Sequence, residues 1–164
     1  PNREQQTMKN IFSIHQEEIK EIAIQKSQPY CYQCSIIVNQ KYCPSCNTDD
    51  LMRVVPGVGN EYGIEWVIEH LINTNLEPVD IDKEFHELLE ELYQSPPKLC
   101  GAYVGQSQAD ILKDYDPTQY RQMLLDEIDG REKDGVIFTI DNGDTYFSTT
   151  DLIAFIDENL EVKK

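Results

Sequence analysis

Two C-x-x-C pairs lie eight residues apart in this chain, Cys31-Tyr32-Gln33-Cys34 and Cys43-Pro44-Ser45-Cys46. No other feature constrains the fold as tightly. Each pair bends the backbone into a knuckle whose amide groups point at the sulfurs and offset their negative charge. The segment between the pairs, SIIVNQKY, is rich in β-branched residues and has Asn39-Gln40 at its middle, so it reads as a short hairpin. A hairpin between two knuckles brings four thiolates to one point, the tetrahedral sulfur set that zinc prefers. Cys31, Cys34, Cys43 and Cys46 are therefore the expected ligands of a structural Zn2+. A site of four cysteines is closed, with no position left for a reacting water.

Three other uses of the cysteines compete with this one. Disulfides belong to oxidising compartments, and paired C-x-x-C spacing favours metal. A redox C-x-x-C would follow a strand and open a helix in a βαβ unit, and no such pattern flanks either pair. Iron suits the same four sulfurs, but no electron-transfer context accompanies them. Through CYQC and CPSC, residues 30–47 resemble the zinc-ribbon and rubredoxin-like family, and the resemblance implies the same four ligands. That family often carries glycine just after the second pair. Here Asn47 stands there, a residue that also tolerates the left-handed conformation.

Charge is the second constraint. The 164 residues carry 30 acidic and 14 basic side chains, a net charge of −16. Residues 1–60 are neutral, with six bases (Arg3, Lys9, Lys20, Lys26, Lys41, Arg53) against six acids. Residues 61–130 carry sixteen acids and four bases (Lys83, Lys98, Lys113, Arg121), a net −12, and the remainder is −4. A field of this sign repels nucleic-acid phosphates and anionic membranes and attracts basic surfaces. No apolar run is long enough to span a membrane, and the N-terminal PNREQQTMKN has no apolar signal core. The expectation is a soluble, cytoplasmic protein.

The pattern along the chain predicts a mainly helical α+β fold: a small four-cysteine ribbon on a helical body with a C-terminal β-hairpin. Its three segments are an N-terminal amphipathic helix (1–29), the ribbon (30–50) and an acidic α+β domain (51–164). Met8, Ile11, Phe12, Ile19 and Ile22 put one apolar stripe on a helix over 3–26, which Pro29 stops. That stripe packs on the body, or else on a second copy to give a homodimer. Residues 51–60 read as a strand followed by a turn. Asn60 is placed to cap a helix over 61–74, and Asp80 or Asp82 to cap one over 83–94 with Phe85, Leu88, Leu89 and Leu92 as its apolar face. Pro96-Pro97 ends it, and Leu99 to Val104 reads as a short strand. Ser107 opens a helix to Tyr115, and Asp116-Pro117 opens another that ends near Gly130. Residues 135–148 read as a hairpin around Asn142-Gly143, and Thr149 or Thr150 caps the last helix.

Several stretches imitate catalytic motifs. Gly57-Val58-Gly59 and Gly63 lack the dinucleotide spacing and the Lys-Ser/Thr of a phosphate loop. His86-Glu87-Leu88-Leu89-Glu90 is H-E-x-x-E, so the second histidine of a metalloprotease helix is missing, and a solvated helix face is the expectation. Asp141 to Asp144 is too short for a calcium loop. Cys100 reads as a buried core residue. His15, His70 and His86 are paired with no nucleophile.

The expected role is therefore non-catalytic: an interaction or regulatory protein whose acidic surface binds a basic protein partner. Its pointed form is nucleic-acid mimicry, in which carboxylates occupy the phosphate-binding cleft of a nucleic-acid-handling enzyme and inhibit it. Candidate positions are Glu61, Glu65 and Glu69 on one helix, Glu84, Glu87, Glu90 and Glu91 on another, and Asp126, Glu127 and Asp129. A transcription-type regulator with the ribbon on nucleic acid is the alternative. Tyr30, Tyr32 and Tyr42 are suited to stacking on bases, but phosphate binding needs more cations than Lys41 and Arg53 supply, and tyrosines packed round the zinc core are the expectation. A small enzyme working at the 54–63 loop is the third reading.

Overall fold

A computed structural model describes residues 14–94, 98–103, 105–141 and 143–161. Arg3, Met8, Lys9, Ile11, Phe12, Pro96-Pro97, Val104 and Asn142 lie outside the described residues. The fold is α+β and mainly helical, with small antiparallel sheets and a C-terminal hairpin. It parts into two compact units, one running to Pro78 and resuming at Phe147, the other spanning Val79–Tyr146. The acidic segment 51–164 thus contributes to both.

In the first unit, α1 (Gln16–Lys26) buries Ile19, Ile22 and Ala23 and packs against α2 (Glu65–Asn75) and α6 (Thr149–Glu161). These helices bring Val67, Ile72 and Leu152 to full burial. α1 ends at Lys26, as its apolar pattern predicts, and Pro29 lies beyond it inside strand β1 (Gln28–Cys31), opposite Arg53. The helix end is closed by side chains. Ser27 Oγ donates to the Ala23 carbonyl at 2.6 Å, and Arg53 Nη2 donates to the carbonyls of Ile24 (2.8 Å) and Ser27 (2.9 Å). Carbonyls at a helix C-terminus have no intrahelical donor, so this guanidinium supplies one.

A four-stranded antiparallel sheet follows, ordered β2-β1-β3-β4. β2 is Ile36–Ile37, β3 Met52–Val55 and β4 Gly59–Glu61. Residues 51–60 are thus most of a hairpin, with Gly57 at φ +80° in its turn, rather than one strand and a loop. The register Val54↔Asn60 and Arg53↔Glu61 places Asn60 and Glu61 in a strand. Neither belongs to the next helix, because Gly63 at φ +81° turns the chain before α2 begins at Glu65. Glu65 makes up for the lost cap: its own carboxylate accepts from the Ile64 N–H at 2.9 Å.

In the second unit, α3 (Ile81–Leu92), α4 (Gln108–Tyr115) and α5 (Pro117–Lys133) pack on one another. Their core is Phe85, Leu89, Ala109 and Tyr120, flanked by Leu88, Leu112, Met123 and Leu124, with the Phe85 and Tyr120 rings edge to face at 5.4 Å. Leu92, expected on this face, is exposed at the last turn of α3. Asp80 accepts from Lys83 N (3.1 Å), Asp116 from Gln119 N (3.0 Å), and Ser107 and Asp110 form a reciprocal capping box. α5 runs through Gly130 to Lys133, since arginine and lysine in its last turn suit the helix dipole.

Between α3 and α4 the expected single strand is a small hairpin, β5 (Lys98–Leu99) with β6 (Ala102–Tyr103). Cys100 is not a core residue. It is exposed at φ +51° beside Gly101 at φ +83°, the two left-handed positions of a tight hairpin turn. The clearest hairpin of the sequence is present as β7 (Ile137–Thr139) and β8 (Tyr146–Ser148), with Gly143 at φ +96° between them.

Candidate metal centre

Cys31 ends β1, and Cys34 closes the turn that returns the chain to β2, where Ile36 pairs with Cys31. The hairpin is therefore formed across the first knuckle, β1 against β2, and not by the SIIVNQKY segment alone. Ser35 takes φ +53° just after the first pair, and Asn47 takes φ +60° just after the second. The two knuckles thus repeat one geometry, and Asn47 adopts the conformation that glycine usually supplies. The second knuckle is tied by Asn47 N donating to Cys43 O and Cys43 N donating to Thr48 O, both at 2.8 Å, while Val38 N donates to Pro29 O at 2.8 Å.

The four sulfurs lie within 4.8 Å of one another, and Cys31 Sγ stands 3.6 Å from Cys46 Sγ. A disulfide would bring two sulfurs to about 2.05 Å. Bonds of about 2.3 Å to one tetrahedral ion set sulfurs about 3.8 Å apart. None of the four cysteines is joined in a disulfide, and their spacing is one that could hold a metal ion such as zinc. Cys31 and Cys43 are fully buried and pack with Val38, flanked by Cys34, Ile36 and Leu51.

The electrostatics show how the sulfurs work on one another. The N–H of Cys46, and then that of Ser45, point at the Cys43 sulfur and hold its thiol down at about 6. The neighbouring Cys46 thiol, with burial, pushes Cys34 up to about 12. Burial raises Cys31, against the N–H of Cys34. Four thiolates this close do not all ionise without a cation between them, and a divalent ion supplies that charge. No protein-family model matches this chain, and neither a curated protein nor a solved structure does.

Around the ribbon, Tyr30 is half-buried in β1, but the other two tyrosines do not pack as expected. Tyr32 and Tyr42 are 67% and 51% exposed, because the knuckle and the loop that carry them turn those side chains outward. Arg53, counted above as a cation near the ribbon, is committed to the end of α1.

The ten candidate acids fall into two groups. Glu61, Glu65 and Glu69 lie in the first unit, Glu61 on β4 and the other two on α2, so the single helical row drawn from the sequence does not exist. The other seven lie in the second unit. Glu84 and Glu127 share Arg131, at 2.6 and 2.7 Å, which ties α3 to α5. Glu87 stands 3.9 Å from Lys83, Asp129 pairs with Lys133, and Asp126 accepts from Gln122 at 3.1 Å. Glu90 faces His86. Among the described residues no cation lies within 4 Å of Glu69, Glu91 or Asp126.

The remaining histidines are on local business. His15 Nδ1 lies 2.5 Å from Glu18, one turn on, and His70 Nδ1 lies 3.5 Å from Thr74. Asp141 Oδ1 accepts from Thr139 Oγ1 (2.8 Å), Asp144 N (3.1 Å) and Thr145 N (2.9 Å), so it organises the hairpin turn. The residue that sequence reasoning passed over is Asp110. Its S-x-x-D spacing marks a helix cap, and only the packing of α4 on α3 brings it to His86.

Proposed function

We propose that this chain is a non-catalytic, zinc-binding interaction protein whose acidic helices bind a basic protein partner. Cys31, Cys34, Cys43 and Cys46 hold a structural Zn2+ that fixes the ribbon. The binding surface belongs to the second unit, on α3 and α5. One observation carries this reading: the unit Val79–Tyr146 has sixteen acids against six bases. Four of those bases, Lys83, Lys113, Arg131 and Lys133, are already engaged in ion pairs. Glu87 and Glu91 stand one helical turn apart on α3, about 5–6 Å apart at Cβ. A pair of that kind offers a basic cleft charges resembling a phosphate backbone, and inhibition by nucleic-acid mimicry is the pointed form of the proposal.

The test is capture of partners by the full chain at low and at high salt, beside a triple charge reversal of Glu87, Glu91 and Asp126 to Lys. Charge-driven binding weakens steeply as the Debye length shrinks. Partners that elute with salt and are absent from the reversed chain support the reading. Partners retained equally at both salts by both chains would sink it.

A second reading is favoured by the outward Tyr32 and Tyr42. Stacked bases need such platforms, and a ribbon contacting single-stranded nucleic acid would use them. Binding of labelled RNA or DNA at moderate salt, lost on Tyr32→Ala, would promote it over the first.

A further inference from the structure

A second group of ligand-bearing side chains comes together away from the ribbon. His86 and Glu90 stand one turn apart on α3, and Asp110 reaches them from the first turn of α4. His86 Nε2 lies 3.4 Å from Asp110 Oδ1 and 3.6 Å from Glu90 Oε1, and the three ligand atoms all fall within 4.8 Å of one another. We propose that His86, Glu90 and Asp110 form a second metal site, which takes a divalent first-row transition ion such as zinc and leaves a coordination position open to water.

The distances favour an ion over a direct pair. Charge-assisted N–H···O contacts close to about 2.7–2.9 Å. Here both separations are longer, and neither is as short as a well-formed hydrogen bond. An ion with nitrogen and oxygen ligands at about 2.0–2.2 Å holds those ligands about 3.4 Å apart in a tetrahedron. The observed 3.4 and 3.6 Å are of that size.

The donor set points the same way. One imidazole with two carboxylates suits zinc and its first-row neighbours. Two carboxylate charges balance a divalent ion. Magnesium and calcium prefer oxygen donors alone, so the imidazole nitrogen argues against them.

The scaffold holds two of the three groups in place. Phe85, Leu89 and Ala109, each the chain neighbour of one of the three, pack α3 on α4. The His86 ring lies beside Tyr120, with centroids 6.5 Å apart, and its Nδ1 is buried, which leaves Nε2 as the nitrogen facing the carboxylates. Asp110 Oδ2 accepts from Ser107 N at 3.3 Å in the capping box, so its other oxygen, Oδ1, is the one nearest His86. A ligand anchored through its second atom is the usual way a protein aims a metal donor. Glu90 is exposed and completes the set from the solvent side.

Zn2+ and Co2+ titrations of the full chain test the site. In the Co2+ series a four-thiolate centre shows intense sulfur-to-metal charge transfer, whereas a nitrogen–oxygen centre shows none. The proposal expects two equivalents per chain, the second binding without any charge-transfer absorption. In His86→Gln and in Glu90→Gln the second equivalent weakens by more than about tenfold, the lower end of what even an outer-sphere partner costs, while the thiolate band is unchanged. Glu90 is exposed, so that variant keeps its fold, as circular dichroism will show. A single equivalent per chain overturns the site, and so does a second equivalent that binds both variants as tightly as the parent. A missing thiolate band would count against the ribbon and leave the second site standing, so the two claims fail separately.

Discussion

Removing the metal from the ribbon should unfold Cys31–Thr48 while the helices of the first unit stay folded. The magnitudes follow from how little the ribbon buries. Val38 is its one fully buried aliphatic residue, with Ile36 and Leu51 partly covered. Burial of that kind returns about 2 kcal/mol for Val38 and less for each of the others. Ordering the backbone costs about 1 kcal/mol per residue, so the stretch as a whole costs several times what its apolar contacts return. A structural zinc contributes about 10–16 kcal/mol, which closes that gap. The helices need no such help, since Ile19, Ile22, Val67, Ile72 and Leu152 are all essentially inaccessible. Hydrogen exchange after chelation, or in Cys43→Ser, is the assay. The reporters are the N–H groups of Val38, Cys43 and Asn47, each of which donates to a backbone carbonyl at 2.8 Å. They should exchange at near-unfolded rates without metal and slowly with it, while the α2 amides stay protected in both. Equal protection of the three amides with and without metal would refute the reasoning.

Three further outcomes are expected. Arg53→Met removes the donor to the Ile24 and Ser27 carbonyls and should cost about 1.5–3 kcal/mol in chemical denaturation, the range for bonds from a charged group. Phe85→Ala empties the centre of the second unit and should cost about 3–5 kcal/mol, read as a lowered unfolding midpoint of that unit. Asp141 is held at about 2 in the folded chain, chiefly by the Thr145 N–H, against an ordinary value of 3.8. A lowered carboxylate contributes stability that is full above its unfolded value and is lost as pH falls through the folded one. Stability measured between pH 5 and pH 2 should therefore fall less steeply in Asp141→Asn than in the parent.

The parts legible in the sequence are those set by local chemistry. The Cys spacing marked the four-cysteine cluster because a C-x-x-C pair fixes its own backbone. Asp80, Ser107 and Asp116 marked helix starts because a cap acts within one turn. The misread places are those where partners distant in sequence decide. Asn60 looks like a cap, but strand pairing with Val54 claims it. The end of α1 at Lys26 is legible, but its closure by Ser27 with Arg53, a residue from another strand, is not. Glu84 and Glu127 look like free carboxylates, and Arg131 joins them from two helices. Asp110 carries no ligand signature, and it reaches His86 only because the apolar stripes of α3 and α4 meet.

The claim beneath the rest is that four sulfurs of the ribbon bind one ion. X-ray absorption at the zinc edge, on the full chain loaded with a single equivalent of Zn2+, measures this directly. Four sulfur neighbours at about 2.3 Å are predicted. A shell containing nitrogen or oxygen in place of any of the four, or a chain whose knuckle cysteines prove to be joined as disulfides, would contradict it.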